Sequence, residues 1–387
     1  MIRLHASDSI TRTIARPVLW AAAVAVFLPL HHVVAQPPAP RHAVLAVPAK
    51  YPSIQAAIDS ATEGDTVLVA PGRYYENIRF KGKGIVVTSQ FARTRDEADI
   101  DRTIIDGSRP THPDTGTVVR FVNQEDSTSV IQGFTITGGT GTVWLDAKDI
   151  AYFREGGGIL CELGAPTIRF NHIVNNSAVS KAKNVKGDTL LSAGGGAIRC
   201  GYSEPTIANN VIRGNRGRYG GGVVLFYSAG IVKNNLIVDN GGGEDFGGAG
   251  LWIVGGLSHR LSTLVEHNTI VNNRSATPDS APRGMKGRGG ALIAAGTKVV
   301  FRNNIVWGNS QVAGNQVSYS PVTPPEMSDN LVQGGAPGTG NVDVDPKFAE
   351  TTRFTLQPDS PARRAAPGAR ARVELGAYGG AGATPVR

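Results

Sequence analysis

The sequence predicts an all-β solenoid, a parallel β-helix with a short capping helix near its N-terminus, and three observations predict it. The first is a six-residue phrase, Asn-x-Ile/Val-x-x-Asn, that begins at Asn171, Asn210, Asn235, Asn268 and Asn304. Successive copies start 39, 25, 33 and 36 residues apart, and recurrence on that scale marks a repeat array. The second is a glycine-led strand upstream: Gly156–Cys161, Gly195–Cys200 and Gly289–Ala294 each end ten residues before an asparagine of the phrase. Gly221–Phe226 reads as one residue short of that register, and Gly248–Ile253 as about five long. The third is that the apolar runs are short, β-branched and punctuated by glycine and asparagine, so they read as strands and turns. Three strands of about five residues with tight turns need roughly 22–25 residues, which matches the shortest repeat; the longer ones hold a coil and a loop. Stacked coils set like strands about 4.8 Å apart, in parallel.

In chain order, residues 1–35 read as a signal peptide. Arg3, Arg12 and Arg16 precede the apolar run Val18–Leu30, and Val33-Val34-Ala35 offers a small-residue cleavage site. The run is shorter than the roughly 20 residues of a membrane span, so the mature chain is expected to be secreted or periplasmic, with no span. Residues 36–43 form a linker, and one β-helix domain covers 44–379. Its cap, 44–91, holds an amphipathic helix started by Pro52, with Ile54, Ala57, Ile58 and Ala61 on one face, and a strand turning at Pro71-Gly72. An open coil end exposes core and unpaired strand edge, so Tyr75 and Glu76 read as parts of the cap. Ile85–Thr88, Thr103–Gly107 and Val130–Gly138 are early rungs. The central repeats fill 141–316, a closing segment 333–379, and a disordered tail 380–387; a monomer is expected.

Together these segments, with Asp345-Pro-Lys-Phe348, Ser360-Pro-Ala362 and Glu374–Tyr378, resemble the right-handed parallel β-helix proteins of the pectin-lyase-like superfamily. Gly195–Ile198 and Phe301–Asn304 also resemble the GGAI and FxxN repeats of chlamydial polymorphic membrane adhesins. Arg363-Arg364 stands where the superfamily usually has Ile-Asp after Ser-Pro-Ala. The resemblance implies a right-handed coil and, as reactions, β-elimination or hydrolysis of acidic polysaccharide, whereas the residues themselves read first as a carbohydrate-binding surface. A lyase needs a cation or calcium on the uronate carboxylate and a Lys or Arg base; a hydrolase needs paired carboxylates. Neither the pectin-esterase aspartate set nor a polygalacturonase Asn-x-Asp/Asp-Asp pattern is present.

Forty-nine glycines and 6% aromatic residues suit a solenoid of tight turns. A net charge of +8 predicts an acidic partner; with an export signal this disfavours nucleic acid and leaves anionic polysaccharide or an anionic cell surface. Alternation with Ile159 and Cys161 inward sends Leu160 and Glu162 outward, with Arg199, Leu225, Tyr227 and Trp252 at matching places. The extra residues of the longer repeats fall mostly just before the glycine-led strand, which gathers loops at one corner. These carry Asp146, Lys148, Asp149, Tyr152, Arg154 and Glu155; Lys181, Lys183, Lys186 and Asp188; Arg216, Arg218 and Tyr219; Glu244, Asp245 and Phe246; and Arg283, Lys286 and Arg288.

The expected site is a cleft floored by the outward row and walled by those loops. Trp252, Tyr227, Arg199, Tyr219 and Tyr152 are its saccharide contacts. If the protein is an enzyme, Arg199, Lys181, Lys183, Arg218 and Glu162 are catalytic candidates, and Asp146, Asp149, Glu244 and Asp245 calcium ligands. A non-catalytic adhesion scaffold is the rival. Cys161 and Cys200 hold matching places and are read equally as a disulfide or as stacked thiols. The asparagines read as structural ladders whose residues tolerate left-handed backbone angles.

Overall fold

The computed structural model describes residues 42–146, 151–255, 262–275, 290–293, 298–310, 316–321, 323–363, 374–380 and 382–383. The expected leader and most of the linker, Lys148, Asp149, Arg283, Lys286, Arg288 and most of the tail lie outside these residues, as do the side chains of Glu244, Asp245 and Phe246.

Short strands with one or two inward apolar residues build the coil. Sheet A has ten strands, from Val44–Val47 to Glu326–Ser328; sheet B has nine, from Gly72–Tyr74 to Leu331–Val332; sheet C has eight, from Ile78–Arg79 to Val317–Tyr319. Ile168, Ile207, Val232, Val265 and Phe301 point inward from A, and Ile173, Ile212, Ile237, Ile270 and Val306 from B. They join Ile198, Val223 and Leu251 of C in one continuous core. Each such side chain contributes roughly 1.5–3 kcal/mol by leaving water.

The asparagines close the corners. Asn171, Asn210, Asn235, Asn268, Asn304 and Asn330 form a buried ladder, each Nδ2 donating to the next Oδ1 at 3.0–3.2 Å. Asn176, Asn215, Asn240, Asn273 and Asn309 form a second. The left-handed angles fall one residue earlier than expected, at Asn175, Asn209, Asn234, Asn272 and Asn303. The residue before the ladder asparagine turns the corner, which leaves the buried amide of the ladder free to bond up and down the stack.

The cap has the expected form. Helix α1 (Ile54–Ser60) buries Ile54, Ala57 and Ile58 on the core. Ser53 caps it by accepting from the Ala56 amide at 3.1 Å, and Glu76 accepts from the Ile54 and Gln55 amides at 2.9 Å. Two short helices that periodicity did not reveal, α2 (Phe91–Thr94) and α3 (Ala98–Arg102), project between early strands.

The corner loops are strands. Gly141–Asp146, Ala151–Glu155, Leu190–Gly194, Arg216–Tyr219 and Gly241–Gly247 belong to an eight-stranded sheet D. Gly195 (φ 66°) and Gly220 (φ 52°) turn the chain sharply from D into C. A Cβ at Gly195 would lie 2.5 Å from that of Arg199, so D folds back over the outer face of C and only glycine fits there. One register also differs from expectation: Val223, not Val224, pairs with Ile198, and Leu225 with Cys200. The glycine run therefore starts at Gly220, and Leu225 points into the core.

Candidate functional site

The predicted floor is closed. Arg120, Leu160, Arg199, Val224 and Trp252 form the outward row of sheet C by register. Sheet D covers it, and Arg199 is 0% exposed. Its Nε lies 3.1 Å from Glu155, its Nη2 3.7 Å from Asp146, and its Nη1 touches Glu162. Tyr219 donates to Glu155 at 2.6 Å, and the Phe226 ring centroid lies 5.0 Å from the guanidinium. Burial works against the guanidinium's charge, but Glu155, Tyr219 and Asp146 outweigh it and hold the pKa above its ordinary value. Burial first, and then Glu155, push the Tyr219 hydroxyl well up.

Arg199, Glu162, Trp252 and Tyr219 are thus buried members of a compensated cluster rather than contacts along a cleft. Alternation decides that a side chain leaves the coil; it does not say whether another part of the chain lies over it. Asp146 faces Arg199 instead of an open calcium position. Among the described residues, no group of three or more His, Cys, Asp or Glu could hold a metal ion. Tyr227 sits in the left-handed turn after sheet C, its ring 5.6 Å from that of Tyr202. Tyr152 and Arg218 are half-buried on sheet D, and Lys181 and Lys183 are exposed in the loop before Leu190. Cys161 and Cys200 are register partners with free, buried thiols, which is the stacked alternative; Cys161 donates to Ser203 at 3.3 Å.

An open site lies instead on the outer face of sheet B. The variable positions of the asparagine phrase point outward there and supply His172, Val174, Val211, Arg213 and Leu236. Helices α2 and α3 rise on one side, with Phe91, Glu97 and Asp101. The closing segment lies on the other, with Thr352, Arg353, Ala377 and Tyr378. Between them is a cavity of about 320 Å³.

Apolar anchors hold the closing segment in place: Phe354 and Ala377 pack with Leu236, Val238 and Val271. Asn234 donates to the Gly379 carbonyl at 2.6 Å, and the Ala377 amide to Thr269 at 2.9 Å.

Inside the groove, His172 Nδ1 lies 2.8 Å from Asp101. Arg353 reaches Glu97 at 3.3 Å, and Arg213 lies 3.7 Å from Asp239 while also donating to the Thr352 carbonyl. Tyr378 donates to the Arg353 carbonyl at 2.9 Å, and burial pushes its hydroxyl up to about 12. The hydrogen bond from His172, more than any other favourable contact, holds Asp101 below the usual carboxylate range. Arg95 lies over Phe91 and Phe170, at 5.7 and 5.8 Å.

None of these groove residues stood among the predicted contacts. Two signals pointed to them: polar His172 and Arg213 at phrase positions otherwise rich in aliphatic residues, and a closing segment whose Phe348, Phe354, Leu356 and Tyr378 need a surface on which to be buried.

A family model described as right handed beta helix region matches residues 76–262 and 180–330. Among solved structures, the structure of the PL6 family alginate lyase AlyGC is similar, at 14% identity and a TM-score of 0.26. The match covers 87% of this chain and 58% of that one, so this chain corresponds to little more than half of that protein's length. No curated protein matches.

Proposed function

The chain belongs to the right-handed β-helix family, and on that premise we propose that it binds carbohydrate, an acidic polysaccharide, in the groove over sheet B. One observation carries the reading: an open cavity of about 320 Å³ in which aromatic rings, two guanidinium groups and an apolar floor converge. That volume lies in the lower part of the roughly 300–1,000 Å³ range of ligand sites. Tyr378 and Phe170 offer ring faces for the C–H side of a sugar, Val211 and Leu236 the floor, and His172 and Asn209 polar contacts.

Arg213 and Arg353 supply cations for a uronate. Each already has a carboxylate neighbour, but those pairs are partly solvated and therefore weak, so a ligand carboxylate exchanges into them at little cost. We place this activity outside the cytoplasm on the strength of the leader; recovery of an exported chain beginning at Gln36 tests that placement.

The binding test is migration through gels containing pectate, alginate or glycosaminoglycan, with and without calcium. The expected result is retardation by at least one polymer, and its loss in Arg213→Ala and Tyr378→Ala. Equal migration in every gel would sink the reading and leave a scaffold without a glycan.

The His172–Asp101 pair favours a second reading, a lyase. His172 takes the uronate C5 proton and Asp101 orients the imidazole. The C5–H electron pair becomes the C4–C5 double bond, and the glycosidic oxygen departs with its own pair and a proton from Tyr378, which solvent restores. Absorbance at the unsaturated-uronate band, present with the native chain and absent with His172→Ala, separates this from binding alone.

A further inference from the structure

Sheet D presents a second surface, unrelated to the groove. Leu145, Val179, Val185 and Leu191 are 40–58% exposed; Leu145 lies on the strand Gly141–Asp146, Leu191 on the strand Leu190–Gly194, and Val179 and Val185 on the loop that runs from Ser177–Ala178 into the latter. They form a neighbourhood. Leu145 is the antiparallel partner of Tyr152, and Tyr152 pairs in turn with Leu190, next to Leu191. The loop is tied to the same hairpin through Asp114. The Val185 amide donates to that carboxylate at 2.9 Å, Arg154 donates to it at 3.1 Å, and the Val143 amide donates to the Asp114 carbonyl at 2.8 Å. Lys181, Lys183 and Lys186 stand exposed on this loop, and Arg216 on the next strand. Among the described residues, Asp114 is engaged as above and Asp188 by the Asn184 side chain at 2.9 Å.

Clustered aliphatic tips within a basic rim mark an interaction site rather than ordinary surface. We infer that this face docks on an anionic lipid surface, the tips entering the acyl boundary and the lysines meeting the headgroups. The charge calls for an anionic partner. Against a polysaccharide, leucine and valine offer neither hydrogen bonds nor stacking rings. Against a second copy of the chain, a symmetric contact would set the lysine loops of both copies against each other.

The test is co-sedimentation with vesicles of phosphatidylcholine, with or without phosphatidylserine. The full chain and a form starting at Gln36 are run side by side, so that binding owed to the apolar leader is subtracted. The inference expects the Gln36 form to sediment with the serine-containing vesicles alone. The triple variant Lys181→Glu, Lys183→Glu, Lys186→Glu should weaken binding at least about a hundredfold, at roughly fivefold per lysine removed. Val185→Ser with Leu191→Ser should weaken it about tenfold at unchanged charge and unchanged melting temperature.

Arg213→Ala and Tyr378→Ala should leave vesicle binding intact, so failure here and failure of the groove reading are distinguishable. The inference is overturned if the Gln36 form ignores anionic vesicles or if the serine variants bind as well as the native chain. It is equally overturned if the lysine variant loses only polysaccharide binding, or if Leu191→Ser instead abolishes a dimer.

Discussion

Arg199 and Arg213 leave the same coil, one from sheet C and the other from sheet B, and their surroundings have little in common. Arg199 is sealed beneath sheet D and shares its burial with Asp146, Glu155 and Glu162. Arg213 is 30% exposed, faces one carboxylate at 3.7 Å and borders an open cavity. The cover makes the difference. Sheet D is laddered strand to strand and brings two of the three carboxylates with it. The closing segment is attached through scattered apolar anchors and leaves space between itself and α3. A charge under a continuous cover must be compensated within the protein, whereas one beside a partial cover stays available to a ligand.

The largest test of this contrast is Arg199→Met, which leaves three carboxylates buried without their cation. A loss of about 3–5 kcal/mol, or failure to fold, is expected in denaturant titration. Unchanged stability would mean that the two faces do not differ as described. Asn235→Ala breaks a ladder shared by both faces. It removes donation to Ile207 O at 2.9 Å and to Asn268 at 3.0 Å, and strands the Asn210 amide. The expected cost is about 1–3 kcal/mol, with faster amide exchange in the neighbouring rungs.

Arg213→Ala should be the opposite case: stability changes by less than about 1 kcal/mol while polysaccharide retardation falls about tenfold. The Asp101 carboxylate, lowered on folding, contributes stability that is complete above its unfolded pKa of about 3.9 and is lost as pH falls through the lower folded value. Asp101→Asn should therefore lower stability in the neutral region, leave it unchanged below the folded pKa, and so flatten the acid limb of the stability curve. Smallest of all, Glu97→Gln should shift stability by no more than about 0.5 kcal/mol yet tighten polyanion binding, because it removes a carboxylate 3.3 Å from the Arg353 guanidinium.

Much of the architecture was legible because it rests on local rules. The asparagine phrase, the α1 cap and the inward positions of Ile173, Ile212 and Ile237 follow from alternation and spacing. The stacking of Cys161 on Cys200 followed from their shared place in the repeat, though whether they were bonded did not. Leu225 was misplaced because a run of three glycines, Gly220 to Gly222, offers two registers, and only hydrogen bonding to the neighbouring coils selects between them.

The candidate site was less legible. Which residues leave the coil was readable from the strands. That Glu155 and Tyr219 would close over Arg199, and that Arg353 and Tyr378 would arrive beside His172, was not. Those encounters join segments far apart in sequence, and no periodicity links them. By itself the sequence determined a coil, its core and its corners, since each depends on neighbours a fixed number of residues away. Tertiary structure alone decided which outer face is interior and which is open, because that depends on where the inserted strands and the closing segment find apolar surface to bury.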